Sequence, residues 1–327
     1  MKVLVTGGAG YVGSHCLRVL LDRGHEAVVV DNLATGFRAA VDKRAVFVEA
    51  DIGNEQAMLR LCEAHQFDAV MHFAACLDVA ESVREPLKYF RNNVSNTAAL
   101  LSVMQRCEIR KLIFSSTCAI FGAPPKVPIT EDLPKTPISP YGQSKLCIEW
   151  MLEDCAQAWG LGSCALRYFN AAGASADASL GECHDPECHL IPIVLQVALG
   201  QRDKVLIFGT DYPTPDGTCI RDYVHVEDLA EAHLLAQSDL HPGEARHFNV
   251  GTGRGSSVSQ IIEAARRVTG HPVPAEPAPR RPGDPPELYA DPSRIKKNLG
   301  WQPRYTDIDE IVSSAWKWHR SHPTGYA

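Results

Sequence analysis

Tyr141 and Lys145 stand four residues apart in the run Tyr141-Gly142-Gln143-Ser144-Lys145. On a helix that spacing stacks a phenol and an ammonium on one face, one turn apart. A lysine held beside a tyrosine favours the phenolate, so the tyrosine can take a proton from an alcohol near neutral pH. The same spacing also occurs in helices without a catalytic role, and a redox partner and a substrate site must be found before it means chemistry.

A redox partner is indicated near the N-terminus. Gly7, Gly10 and Gly13 follow the apolar run 2–6, and Gly8-x-Gly10-x-x-Gly13 satisfies the same pattern in a second register. Glycines between a strand and a helix allow a tight turn and let the main chain approach a pyrophosphate at the helix N-terminus, where free N–H groups favour anions. Asp31 closes the next apolar run, 27–30. There a carboxylate can bond the adenosine ribose 2′-hydroxyl and repel a 2′-phosphate, which points to NAD and away from NADP. A cap after the strand is the reading of Asp31 that needs no ligand.

The elements that must hold these residues alternate. Strand-like runs at 2–6, 27–30, 46–48, 69–72 and 111–114 are separated by helical patterns at 14–23, 55–65 and 87–106. Such alternation predicts an α/β fold, with a parallel sheet and helices on both faces. After 166–169 the pattern loosens. Residues 171–190 read as loop, 208–219 as turns, and seven prolines in 271–286 exclude regular structure over most of that stretch. A smaller C-terminal lobe is expected, with 222–250 rejoining the sheet. The expected domains are 1–170 with 222–250, and 171–221 with 251–327.

Of the 327 residues, 45% are hydrophobic and 22% charged, an ordinary globular composition. A formal charge of −7 argues against non-specific binding to nucleic acid or to an anionic membrane. No apolar run is long enough to span a bilayer, and Met1 leads straight into a strand-like segment, so a cytoplasmic protein is expected. The eleven cysteines are scattered, odd in number and without a C-x-x-C pair, which predicts reduced thiols. Cys183-His184 and Cys188-His189 are possible zinc ligands. Adjacent residues diverge in direction, however, and structural zinc normally takes two well-separated pairs, so no metal is expected there.

Several longer runs carry a resemblance. They are Thr6–Gly13, Asp51-Ile52, His72–Ala75, Asn92-Asn93-Val94, Ser115-Ser116-Thr117 and Pro140–Lys145. Further on come Arg167–Asn170, Leu190-Ile191-Pro192, Asp216–Val226 and Phe248–Gly251. Over essentially its whole length the chain resembles the extended short-chain dehydrogenases/reductases and, within them, the UDP-glucose 4-epimerases. The resemblance implies a Rossmann-type doubly wound parallel sheet with a smaller C-terminal α/β substrate-binding lobe. It makes Tyr141 the acid/base, Lys145 its electrostatic partner on the nicotinamide ribose, and Thr117 the hydroxyl on the sugar O4.

It further implies cofactor contacts from Asp31, Asn32, Asp51, Ile52, Phe73, Asn92 and Ser115. Ala74, Ala75, Tyr168 and the turn residues Gly7, Gly10, Tyr11, Val12 and Gly13 join them. Nucleotide-sugar contacts are implied for Asn170, His189, Leu190, Phe208, Arg221, Arg281, Asp284 and Leu288, the arginines being suited to a diphosphate. Read without the resemblance, Asn170 is a turn residue, Asp222 a helix cap, and Arg281, beside Arg280, a solvated charge. Two positions depart from the family: Leu77 replaces a basic residue, and Leu288, intermediate in size, lies where bulk limits room for an N-acetyl group.

The implied activity is reversible C4 epimerisation of UDP-glucose and UDP-galactose through a transient 4-keto sugar, with tightly bound NAD. A UDP-N-acetylglucosamine or UDP-glucuronate 4-epimerase and a non-catalytic NAD-binding regulator are the alternatives. Sugar 4,6-dehydratases need an acid beside the active-site threonine, and Cys118 and Ala119 stand there instead. The resemblance also implies a homodimer, through helices near 87–106 and 141–158.

Overall fold

Uninterrupted apolar runs such as Val3-Leu4-Val5 and Val28-Val29-Val30 can bury both faces of a strand. In the computed structural model, which describes residues 1–281 and 283–326, they are buried on interior strands of a sheet. The chain divides into two compact units. One comprises Met1–Gly122, Pro134–Arg167 and Ala230–Phe248; the other comprises Ala123–Leu133, Tyr168–Leu229 and Asn249–Ala327.

The first unit is built on a seven-stranded sheet. From one edge the order is Ala245–Val250, Gly162–Tyr168, Lys111–Thr117, Ala69–His72, Lys2–Thr6, Glu26–Asp31 and Val46–Glu49. Pairing is parallel from Lys111–Thr117 across to Val46–Glu49, and the fold is the Rossmann-type doubly wound one. Strand order reverses between Lys2–Thr6 and Ala69–His72, so a crevice opens beyond their C-terminal ends, at Gly7 and Phe73. Helices Glu55–His65, Asn96–Arg106 and Pro140–Trp159 press Met58, Leu100, Met104 and Leu152 onto Leu4, Val70 and Leu112 of the sheet.

The pattern over 87–106 predicts one helix, and the structure breaks it. Helix Pro86–Tyr89 passes into a wider π-helical stretch, Phe90–Ser95, before helix Asn96–Arg106. Such a stretch strains the hydrogen-bond ladder and commonly marks a functional position. Here it contains Asn92 and the buried Asn93.

In the second unit, strand Ile220–His225 pairs with Gly255–Ser257, Glu287–Leu288 and Asn170–Ala172. Helices Leu190–Ala198, Val258–Thr269 and Ile308–Ser321 share a core of Ile191, Leu195, Ile261, Ala265, Ile311 and Trp316. Ser257 opens the middle helix with a capping box to Gln260. The proline-rich stretch still yields one strand, Ala275–Ala278, parallel to Val205–Phe208 in a two-stranded sheet. Proline forbids helix there but is tolerated on an edge strand, where no partner needs its missing N–H.

Candidate active site

Three glycines shape the turn after the first strand, for different reasons. Gly7 has φ +72°, and a Cβ there would lie 2.4 Å from the Ala74 nitrogen. A Cβ on Gly13 would lie 2.2 Å from the Gly7 carbonyl oxygen. Main-chain packing therefore requires both. A Cβ on Gly10 would meet nothing closer than 3.4 Å, so packing does not require that glycine. Gly10 is the N-cap of helix Tyr11–Asp22, with no side-chain cap and no acid in the first turn. The helix thus starts without a side-chain cap or an acid of its own, and the bare Gly10 lets an outside anion approach its N-terminus.

Asp31 is buried at the end of strand Glu26–Asp31; its carboxylate accepts the Ala9 N–H at 3.0 Å and the Leu33 N–H at 2.9 Å. Burial raises its pKa, and those two N–H groups pull against the rise. Asn32 donates to Asp51 Oδ2 at 3.0 Å, while Asp51 Oδ1 accepts the Gly53 N–H and Asn96 Nδ2. Ile52 is buried in the core cluster. Phe73 packs on His233 with ring centroids 5.0 Å apart, and the Phe73 and Ala74 N–H groups both donate to the Thr6 carbonyl. Ala75 follows, half-buried. The chemistry of these residues fits a dinucleotide: an uncapped helix N-terminus for the pyrophosphate and a held carboxylate for a ribose.

Tyr141 and Lys145 sit at the start of helix Pro140–Trp159. Ser139 caps this helix through the Gly142 N–H, and Pro140 takes the first position, where no N–H is needed. Lys145 is buried, donates from Nζ to the Ser115 carbonyl at 3.0 Å, and lies 4.9 Å from the Phe114 ring centroid and 6.0 Å from that of Tyr141. Burial pushes its ammonium down to about 7, the Cys76 thiol acting the other way. Tyr89 meets the Tyr141 ring edge-on at 6.5 Å, its own hydroxyl held by the Asp78 carbonyl. Thr117 ends strand Lys111–Thr117, and its Oγ1 accepts the Ala119 N–H at 3.1 Å, capping the short turn Cys118–Phe121. Asn92 donates to Asn93 Oδ1 at 3.0 Å.

In the second unit the expected nucleotide residues fall into smaller groups. Arg281 lies over the Phe208 ring at 4.1 Å, whereas Arg280 is taken up by Asp211 and the Tyr212 ring. Arg221 pairs with Asp284, and Leu288 is its register partner on the neighbouring strand. Burial works against the charge on Arg221, but Asp284 and other neighbours hold its pKa above the usual value. Asn170 opens its short strand opposite Tyr223, and Tyr168 ends strand Gly162–Tyr168. His189 is the N-cap of helix Leu190–Ala198, without a capping bond; its Nδ1 lies 3.0 Å from Glu182 and 3.1 Å from Glu187. Leu190 packs against the second core.

Comparison with known proteins places this geometry. Residues 3–251 match the NAD dependent epimerase/dehydratase family. The chain belongs to that family. It is 50% identical to the UDP-glucose 4-epimerase of Halalkalibacterium halodurans, over 100% of this chain and 98% of that protein. The crystal structure of a UDP-glucose 4-epimerase with 47% identity superposes with a TM-score of 0.97 and covers 100% of both chains. That of the Brucella ovis UDP-glucose 4-epimerase in complex with NAD, 48% identical, gives 0.93 and covers 97% of each chain.

Within this epimerase/dehydratase chain, several residues that hold the site escape local sequence reasoning. Asn93 accepts the Cys76 N–H at 2.8 Å and donates to the Cys76 carbonyl and to Ser144 Oγ. Glu149 forms a buried two-pronged ion pair with Arg167 and accepts from Ser116, tying helix Pro140–Trp159 to two strands. Asp222 caps no helix. Its carboxylate accepts the N–H groups of Thr252, Gly253 and Ala290 and the Thr252 hydroxyl, pinning the loop after strand Ala245–Val250. The motif runs containing Asn93, Arg167 and Asp222 were visible in the sequence, but their partners lie too far along the chain to be read from it.

Proposed function

We propose that this chain inverts the configuration at C4 of a UDP-hexose, interconverting UDP-glucose and UDP-galactose through a 4-keto sugar. The observation that carries the reading is Lys145, buried beneath the Tyr141 ring with its Nζ on the Ser115 carbonyl. A charge held there favours the phenolate, and Tyr141 then takes the O4 proton and later returns it. The Thr117 hydroxyl, whose oxygen is engaged by the Ala119 N–H, directs its own hydrogen toward O4. Gly10, the first-turn N–H groups and Asp31 hold NAD, which when bound takes up the C4 hydride and gives it back. Phe208, Arg221, Arg281, Asn170, Leu190 and Leu288 hold the nucleotide sugar, with Asp284 steadying Arg221. No acid follows Thr117, which disfavours dehydration of the keto sugar.

We also infer a homodimer. Val83, Leu87 and Trp150 are 63%, 65% and 55% exposed, on helices Val79–Arg84, Pro86–Tyr89 and Pro140–Trp159. These helices pack on one another, and exposed apolar side chains on them suit a second copy. Light scattering that gave the mass of one chain at micromolar concentration would contradict this. A cytoplasmic location is supported by the eleven cysteines, all free thiols. Among the described residues no helix is long and apolar enough to cross a membrane.

The test of the activity is incubation of the purified protein with UDP-galactose, UDP-N-acetylglucosamine and UDP-glucuronate in separate reactions, without added NAD, followed by separation of the nucleotide sugars. UDP-glucose should form from UDP-galactose. Its absence while either other sugar turns over would overturn the substrate assignment.

A further inference from the structure

Four side chains in the segment before helix Leu190–Ala198 converge on one point: Glu182, His184, Glu187 and His189, each offering a ligand atom within 4.8 Å of the others. The distances are regular. His189 Nδ1 is 3.0 Å from Glu182 Oε1 and 3.1 Å from Glu187 Oε1, and His184 Nδ1 is 3.6 Å and 3.4 Å from oxygens of the same two carboxylates. Ligands bound tetrahedrally to zinc at its usual bond lengths stand about 3.3–3.5 Å apart. The four edges bracket that spacing.

A plain ion-pair cluster accounts for the arrangement less well. The side chains of Glu182 and Glu187 are 5% and 3% exposed, so two carboxylates are taken out of water side by side. Each carboxylate taken out of water there needs a positive partner close by. The ion-pair cluster also leaves His184 Nδ1, a buried nitrogen that faces both carboxylates, without a hydrogen-bond partner. A divalent cation between them neutralises both carboxylates and uses both nitrogen lone pairs. Glu187 is already oriented for this, since its Oε1 accepts the Cys188 and His189 N–H groups at 2.9 Å.

We propose that Glu182, His184, Glu187 and His189 form a structural zinc site. Two imidazoles favour zinc over magnesium or calcium, and four protein ligands leave no open position for catalysis. The spacing Glu-x-His-x-x-Glu-x-His replaces the Cys–His reading of the segment, and with it the expectation that no metal binds there. The thiols are not among the ligands: Cys188 is exposed, and Cys183 lies against Gly325. The site would staple the loop that leads into His189 and Leu190, so zinc would fix the start of that helix.

The experiment is metal analysis by plasma mass spectrometry, after purification with zinc present and dialysis against metal-free buffer. About one zinc per chain is expected, falling below about a tenth in His184→Ala and in Glu187→Gln, which keeps the acceptor for the two N–H groups. Chelator-treated wild type, titrated with Zn²⁺ against a colorimetric chelator, should take up one ion saturably even if the variants fold poorly. Failure of the wild type to take up zinc in that titration, or equal zinc in wild type and a folded His184→Ala, would overturn the site.

Discussion

Asn93 Nδ2 donates to Ser144 Oγ at 3.0 Å, and Ser144 Oγ donates in turn to the Tyr141 carbonyl. The π-helical stretch is thereby fastened to the first turn of helix Pro140–Trp159. In the proposed reaction Asn93 would touch neither reacting atom and would act as a positioning residue. Asn93→Ala should lower kcat by roughly tenfold or more while KM changes little, because misplacement of an acid/base by a fraction of an ångström is felt in the transition state. Steady-state kinetics on UDP-galactose decides it; a change confined to KM would contradict the role.

Tyr141→Phe keeps the ring that packs on Tyr89 and removes the acid/base oxygen. Turnover should fall by about 10²–10⁴-fold, the usual scale for losing a general acid/base, with the thermal midpoint and bound NAD nearly unchanged. Retained turnover would remove Tyr141 from the reaction.

Gly10 and Gly13 should respond differently to alanine. Gly13→Ala drives a methyl into the Gly7 carbonyl and should lower the thermal midpoint sharply, whereas Gly10→Ala has room in the protein and should fold normally. Its methyl should instead weaken retention of NAD, read as the absorbance of cofactor released on denaturation. Full NAD in folded Gly10→Ala would show that the pyrophosphate does not approach there.

What could be read from the sequence follows from distance along the chain. The glycine turn, Asp31 and the Tyr141–Lys145 pair lie within single strand–turn–helix units, so residue type and spacing expose them. The Ser115 carbonyl that holds Lys145 is 30 residues away, and the Thr252 and Ala290 groups held by Asp222 are 30 and 68 residues away. Those pairings exist only once the chain has folded. The π-helical stretch leaves an ordinary helical pattern in the sequence, and the bonds of Asn93 to Cys76 and Ser144 reach 17 and 51 residues along the chain. In 182–189 the groups that converge are the carboxylates and imidazoles of Glu182, His184, Glu187 and His189, and only the folded loop brings them together.

His72 gives the fold a pH dependence of definite sign. It is buried between Thr6 and Thr97, at 2.7 Å and 2.9 Å, and burial, with Lys145 nearby, pushes its pKa down to about 3. The unfolded chain takes up this proton near 6.5 and the folded chain does not. Stability is therefore fully present above about pH 6.5 and is lost as pH falls toward 3, by up to about 1.4 kcal/mol per unit from this one group. Urea unfolding at pH 7.0 and 5.5 should show the loss in wild type and a smaller one in His72→Gln. Equal losses in the two proteins would contradict the buried neutral imidazole.

The central claim is that the hydride leaves C4 and returns to the same carbon. UDP-galactose carrying deuterium at C4, incubated with the protein in ordinary water without added NAD, tests it most directly. Mass spectrometry and NMR of the UDP-glucose formed should find the label still at C4. Unlabelled UDP-glucose would mean that the hydrogen exchanged with solvent, and would contradict a site that gives its hydride back.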